Sequence, residues 1–499
     1  MKEKKAVVIG AGFAGISAAT CLAHAGWEVT ILEKNESPGG RARQFSAEGF
    51  TFDMGPSWYW MPDVFDRYFK RFGRKTAEYY DLIRLDPSYR VVFGTDDFVD
   101  IPANLEEMKA LFDQLEPGAG KRLGEFLAQA AYKYQVGINQ LVYKPGRSIR
   151  EFMSPKLLID MLRMDIFQSM HKHVRKYFSN ERILQLIEFP ILFLGATPQN
   201  TPALYSLMNY ADISLGTWYP RGGMHEIVKG MVSLAEEVGV SFQYNSPVTQ
   251  IHTQGGKVTR VETPHGEMVA DAVIAACDYH HVEDMLLDPA DRNYTEKYWD
   301  SRVMAPSSLL FYLGVNKKLN NLLHHNLFFD ADFGKHAIEI YDDPAWPSDP
   351  LFYVSVTSQS DDTVAPEGHE NVFLLMPVAP GIEDNQELRQ RYFDLMINRL
   401  EQRTEQNIRN HIVYQRSYAL RDFEQDYHAY KGNAYGLANT LRQTAILKPS
   451  LKSRKIKNLY YTGQLTVPGP GVPPSLISGQ VITGEILKDF NYQPHERAL

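Results

Sequence analysis

The stretch "AVVIGAGFAGISAATCLAHAGWEVTILEK", residues 6–34, decides how this chain is read. AVVIG is a short apolar run of the kind that forms a buried strand, and AGISAATCLAHAG (14–26) is a small-residue helix stopped by Gly26. EVTILEK (28–34) is a second apolar strand that ends on charge. Between the first strand and the helix stands Gly10-x-Gly12-x-x-Gly15, with Ala11 and Ala14 filling the turn. Gly10 permits the tight turn, Gly12 lets backbone approach a phosphate, and Gly15 lets helix pack on strand. The helix then presents free amides and partial positive charge to an anion. Glu33, about 20 residues on, is placed to accept hydrogen bonds from ribose hydroxyls, with Lys34 beside it. A bare glycine turn would have none of this context. The segment predicts a dinucleotide site, and an acid at Glu33 favours FAD or NAD over NADP.

At 499 residues the chain is long enough for two or three domains. Its 44% hydrophobic and 22% charged residues are those of an ordinary folded protein, and the net charge of −8 gives no reason to expect nucleic acid. The two cysteines, Cys21 and Cys277, fit a reducing compartment, and no metal-ligand spacing is visible. MKEKK before an apolar run imitates a signal peptide or a spanning helix, but the glycines at 10, 12 and 15 interrupt it at a strand-to-helix turn. The expectation is a cytoplasmic protein, associated peripherally with a membrane for the reasons below.

After Glu33 comes "KNESPGGRARQFSAEGFTFDMGPSWY". This resembles the flavin-dependent oxidoreductases of the amine oxidase and carotenoid desaturase superfamily. The resemblance implies FAD, with Gly39, Gly40 and Arg41 at its pyrophosphate; a guanidinium suits bidentate phosphate contact. No second GxGxxG supports a separate nicotinamide site. Near the other end, "LYYTGQLTVPGPGVPPSLISGQVITGEIL" (459–487) is similar to the segment by which these proteins return to the flavin. Every residue from Pro468 to Pro474 except Val472 is Gly or Pro, so rigid bare backbone can lie against a flat ring. Val472 is expected to offer a backbone amide to that ring. Gly463-Gln464 stands where many relatives have Gly-Asp, and Gln464 can both accept and donate there. Val248, on a strand after the amphipathic helix that carries Val228, Met231, Val232, Leu234 and Ala235 at helical spacing, is implied at the adenine.

The stretch from SIREF to YPRGGM, residues 148–224, together with TGQLTVPGPGVPPS, resembles bacterial-type phytoene desaturases, and the likeness runs over nearly the whole chain. The implied activity is FAD-dependent desaturation of a long C40 polyene in carotenoid biosynthesis, by hydride transfer to flavin N5, with oxygen or a quinone as electron acceptor. The implied fold class is α/β: a discontinuous Rossmann-like FAD-binding domain with an inserted α+β substrate domain and a helical membrane-facing region. Flavin segments are expected at 1–75, 218–300 and 430–499, with insertions at 76–217 and 301–429.

Arg147 to Arg182 holds eight Lys/Arg against four acids, net +4 in a chain of −8, with an apolar stripe at Leu158, Met161, Leu162, Ile166 and Met170. Such a stretch suits anionic headgroups, although a core-facing helix with a solvated basic face fits it equally. The implied substrate favours the first reading: at about 0.8 kcal/mol per CH₂, a C40 hydrocarbon belongs in the bilayer. For proton removal Glu151 is nominated as acid/base with Arg150 orienting it, against the plain alternative of a Ser148–Glu151 capping arrangement. His171 and His173 are expected at the surface or facing lipid. A carotenoid isomerase or ketolase is the alternative activity, and an amine oxidase trails it. The prenyl-binding GDP-dissociation inhibitors share this fold without using flavin, and Arg41 with the Gly/Pro loop speaks against them.

Overall fold

The computed structural model describes residues 4–153, 155, 164–165, 168–194 (backbone alone at 192–194), 197–440 and 442–491. Strand β1 (Lys5–Ile9) leads through helix α1 (Phe13–His24) to strand β2 (Glu28–Leu32), which pairs with it in parallel. Val7, Val8, Ile9, Ile31 and Leu32 are buried, as the inner strands of a sheet covered on both faces require. The strand Ala272–Ala275 pairs with β1 on its other side and is followed by Leu459–Tyr461, while Ser241–Gln243 extends the sheet beyond β2. Three separate stretches of chain therefore build one five-stranded parallel sheet.

Helix α1 has little polar face because it is enclosed. The C-terminal helix Val472–Asp489 crosses it so closely that a Cβ on Gly479 would stand 2.4 Å from the Ala14 carbonyl oxygen. Ser17 Oγ donates to the Leu476 carbonyl at 2.8 Å across the same crossing. The helix His225–Glu237 packs on the other flank of α1. Its first turn is held by Asp53, whose carboxylate accepts from the Met224 and His225 amides at 2.6 and 3.1 Å.

A second, seven-stranded sheet runs in the order 412–418, 307–315, 370–378, 352–355, 325–328, 89–92, 98–101. Only the contact of His325–Phe328 with Tyr89–Val92 is parallel. The strands at 89–101 come from the first expected insertion and the others from the second, so the two insertions share one sheet rather than standing apart. Alternation divides its side chains between two cores. Leu309, Phe311, Leu313, Val354, Val372 and Leu374 pack on the helix Gln386–Thr404. Leu310, Tyr312, Leu327, Tyr353 and Phe373 face the larger core toward the first sheet.

The basic stretch turns out differently from its pattern. Leu158, Met161, Leu162 and Ile166 lie outside the described residues. Met170 is wholly buried in the main core, and His173 is buried too, its Nε2 3.3 Å from Lys133 Nζ. Burial and the neighbouring Lys133 hold His173 neutral, down at about 4. His171 stays partly exposed beside Arg175 and Glu188. Arg175 and Arg182 are paired with Glu188 and Asp97, which uses up part of the free positive charge. Among the described residues no helix is long and apolar enough to cross a membrane.

Candidate active site

Between the two sheets lies a cavity of about 460 Å³. One end is built from backbone. Gly10 (φ +104°) turns the chain at the top of β1, and Gly15 must be glycine because a Cβ there would stand 2.0 Å from the Gly10 carbonyl oxygen. A Cβ at Gly12 would meet nothing within 4 Å, so the N-terminus of α1 opens freely into the cavity with no side-chain cap. The N-terminus of the helix Val472–Asp489 opens into the same space behind Gly471 (φ +105°), again uncapped, with Pro473 and Pro474 in its first turn. Proline is tolerated there because first-turn amides have no intrahelical partner. Two helix N-termini therefore direct partial positive charge into one cavity.

Glu33 is buried at the end of β2. It accepts from the Ala11 amide at 2.8 Å and, through its other oxygen, from the Asn35 amide at 2.9 Å. Lys34 lines the cavity and is pulled toward the segment that closes it, donating to the Gln425 carbonyl at 2.7 Å. Arg41 leans on the Tyr427 ring at 5.1 Å and donates to the Asn433 carbonyl at 3.3 Å, while its Nε finds no partner among the described residues. Gln464, with its amide oxygen turned toward Arg41, accepts from Nη2 at 2.9 Å. A neutral partner here adds no negative charge to that of Asp278, so the departure from Gly-Asp makes the spot more attractive to an anion. Asp278 is the nearest opposing carboxylate; burial raises it and Arg41 lowers it.

Gly10, Gly12, Ala14, Glu33, Lys34, Gly39, Gly40, Arg41, Val248, Gly463, Gln464 and Val472 all line this one cavity. Ala11 and Gly15 lie just behind it, one bonding Glu33 and the other seating α1. An adenine dinucleotide fits this donor set: a buried acid for hydroxyls, an orphaned guanidinium nitrogen and two open helix ends for phosphates. Sequence reasoning missed the closing segment 420–428. Its run RDFEQDY places Asp426 2.5 Å from Arg43, and that complementarity of charge was the available signal.

The other end of the cavity is apolar and aromatic, with Trp58, Trp60, Phe189, Phe329, Phe333 and Tyr353 among its lining residues and Leu310, Leu327 and Leu375 from the second sheet. The lining carboxylates among the described residues, Glu33, Asp278 and Asp426, are all at the nucleotide end. The structure does not bring Glu151 or Arg150 to this wall. The Glu151 carboxylate accepts from the Gly146, Arg147 and Ser148 amides at 2.9–3.2 Å, closing the capping arrangement, and Arg150 is exposed. Backbone amides satisfy an acid in a loop as well as a substrate would, so local sequence could not separate the two roles.

Comparison with known proteins agrees with this geometry. Residues 13–482 match the family described as flavin containing amine oxidoreductase. The chain is 42% identical over 485 residues to a carotenoid 3,4-desaturase of Haloarcula japonica, covering 97% of this chain and 98% of the relative. It is 33% identical to a zeta-carotene-forming phytoene desaturase of Myxococcus xanthus, covering 97% and 94%. Among solved structures, an oxidoreductase from Methanosarcina mazei superposes with a TM-score of 0.63 at 17% identity, over 96% of this chain and all of that one. A putrescine oxidase superposes at 0.61 and 12% identity, over 97% and 99%. By the match along almost its entire length, the chain belongs to the family of flavin-containing amine oxidoreductases.

Proposed function

We propose that this protein is an FAD-dependent carotenoid desaturase, which introduces conjugated double bonds into a long polyene. One observation carries the reading: a single cavity joins a dinucleotide cradle to a wall of aromatic and aliphatic side chains without a carboxylate among its described residues. An ammonium would need a carboxylate or rings closed about it as a cage, whereas a hydrocarbon needs only apolar wall, and the two relatives named above as desaturases favour the hydrocarbon. FAD, when bound, supplies the hydride acceptor.

The chain's own residues hold, orient and exclude. Gly10, Gly12 and Arg41 seat the pyrophosphate, Glu33 the ribose, Val248 the adenine, and Val472 with the Gly/Pro bend lies at the ring. Leu310, Leu327, Phe333 and Leu375 keep the polyene in register and keep water away, and positioning of this kind can supply most of the rate. Anaerobic protein loaded with FAD and mixed with liposomes carrying phytoene, or an already desaturated carotene, tests the reading. Flavin bleaching with new long-wavelength polyene bands is expected; isomerisation without bleaching would sink it.

A bilayer-dissolved substrate calls for docking on the membrane. Ile149 and Met153 are 62% and 56% exposed, Ile446 and Leu447 39% and 49%. Their two loops touch where Gly146 lies against the Ala445 carbonyl, and the same two loops carry exposed Arg147, Arg150 and Arg442, of which Arg147 is paired with Glu485. Apolar loop tips with arginines nearby in sequence suit an anionic lipid surface. Ile446→Asp with Leu447→Asp should abolish co-sedimentation with anionic liposomes and leave FAD content unchanged. Reoxidation by oxygen or by a membrane quinone is separated by anaerobic turnover with a soluble quinone.

A further inference from the structure

Desaturation removes a hydride and a proton, and the proton must leave an apolar cavity. The polar groups lining the sheet end are Ser57, Ser308, His336, Tyr341, Tyr353 and Tyr435. His336 has both nitrogens engaged, Nε2 donating to the Pro377 carbonyl at 3.0 Å and Nδ1 accepting from the Leu351 amide at 3.0 Å. Tyr353 differs. Its hydroxyl meets Nδ1 of His325 at 2.6 Å, and His325 lies flat against Trp58 with ring centroids 4.2 Å apart and planes 14° from parallel. His325 is wholly buried, and its Nε2 has no partner among the described residues. His324, also buried, follows at 4.4 Å between ring centroids; its Nδ1 stands 3.1 Å from Ser360 Oγ, and Ser360 is partly open to solvent.

Two adjacent imidazoles beneath an apolar sheet are costly to desolvate, and burial keeps both neutral, His324 down at about 3.

We propose that Tyr353 accepts the proton released in desaturation and that His325 and His324 conduct it to the surface at Ser360. The proposal rests on the desaturation reading above. Loss of hydride from the polyene leaves a cation spread over the neighbouring double bonds, and the adjoining C–H becomes strongly acidic. A weak, neutral base is then enough. That C–H bond breaks and its electron pair becomes the new π bond. The proton bonds to the Tyr353 oxygen as the phenol's own proton passes to His325 Nδ1, while the hydride goes to the flavin. The imidazolium so formed is stabilised by the face of Trp58. Passage to His324, which needs a rotation of one ring or a bridging water because neither Nε2 has a partner among the described residues, returns the pair to neutrality for the next round.

Single-turnover flavin bleaching under anaerobic conditions, with phytoene or a carotene in liposomes, tests this. Native bleaching is the control: without it the desaturation reading fails before this one is reached. Tyr353→Phe should bleach on the order of 10²-fold more slowly with FAD content and KM unchanged. His324→Gln should leave the first turnover near native and slow later ones about tenfold, as expected if proton exit becomes limiting. In FAD-free protein labelled with ¹⁵N-histidine, the His325 Nδ1 resonance should move on Tyr353→Phe, which reports the hydrogen bond without turnover. A native first-turnover rate in Tyr353→Phe, whatever its KM, overturns the proposal. Should that variant fail to retain FAD, His325→Gln decides, and a native rate there overturns it equally.

Discussion

The two ends of the cavity are made of different materials. The nucleotide end consists of turns and helix termini: Gly10, Gly12, Gly40 and Gly471 give backbone access, and the anionic ligand is met by amides and one guanidinium. The sheet end consists of side chains from strands, a helix and loops far apart in sequence, and the described residues there carry no charged group. The first end is specified by what cannot be there, a Cβ. The second is specified by what must be there, volume and apolar surface. Substitution should therefore act abruptly at one end and gradually at the other.

Gly15→Val should have the largest effect. Its side chain has no room against the Gly10 carbonyl, so helix and strand must part; no yellow protein should be recovered, and a normal flavin spectrum would break the contrast. Arg41→Met comes next. Loss of a buried phosphate contact costs about 2–5 kcal/mol, so FAD affinity should fall at least about 30-fold. The FAD-free protein should melt at the same or a higher temperature, because an underbonded buried cation is removed. At the sheet end, Phe333→Ser should raise KM about ten- to a hundredfold, from the loss of about 1.5–3 kcal/mol of apolar contact, with FAD titration unchanged.

A gentler test is pH. Burial raises the carboxyls of Asp212 to about 7 and Asp53 to about 6. The unfolded chain releases these protons near pH 4. Between about 4 and 7 these two carboxyls bind more protons in the folded state than in the unfolded one, so their contribution to stability falls as pH rises and is gone above 7; below about 6.5 the histidines that burial keeps neutral, His173, His324 and His325 among them, work in the opposite direction. Compared from pH 4 to 8, the native protein should lose melting temperature relative to Asp212→Asn as the pH rises toward 7. Glu151→Gln is the smallest: the loop of Gly146–Ser148 should loosen by about 1 kcal/mol with single-turnover bleaching intact. Loss of bleaching in that variant would restore Glu151 as proton acceptor against Tyr353.

The same difference in material explains what could be read from the sequence. The glycine turn, Glu33, the GGR segment and the proline-rich bend are local patterns whose backbone demands are visible in a few letters. All of them meet at one cavity end. The Tyr353–His325–Trp58 arrangement was invisible because each member comes from a different stretch of chain and is brought together by strand pairing. Leu327 stands opposite Tyr353 across two strands, which puts His325 two residues along, opposite Ser355. Met170 and His173 were misjudged for a related reason: a basic amphipathic pattern shows that one face is apolar but not what covers it. At Met170 and His173 protein covers it.

Since Leu459–Tyr461 completes the parallel sheet and the helix behind it encloses α1, the ribosome must release almost the whole polypeptide before the first thirty residues find their final neighbours. Until then the nascent amino-terminal hairpin of strand, helix and strand waits with its apolar surface uncovered, and needs a chaperone or its own weak cohesion to bridge the interval. Coenzyme capture is thereby tied to synthesis of residues 459–489, so that a message truncated before residue 459 yields colourless protein.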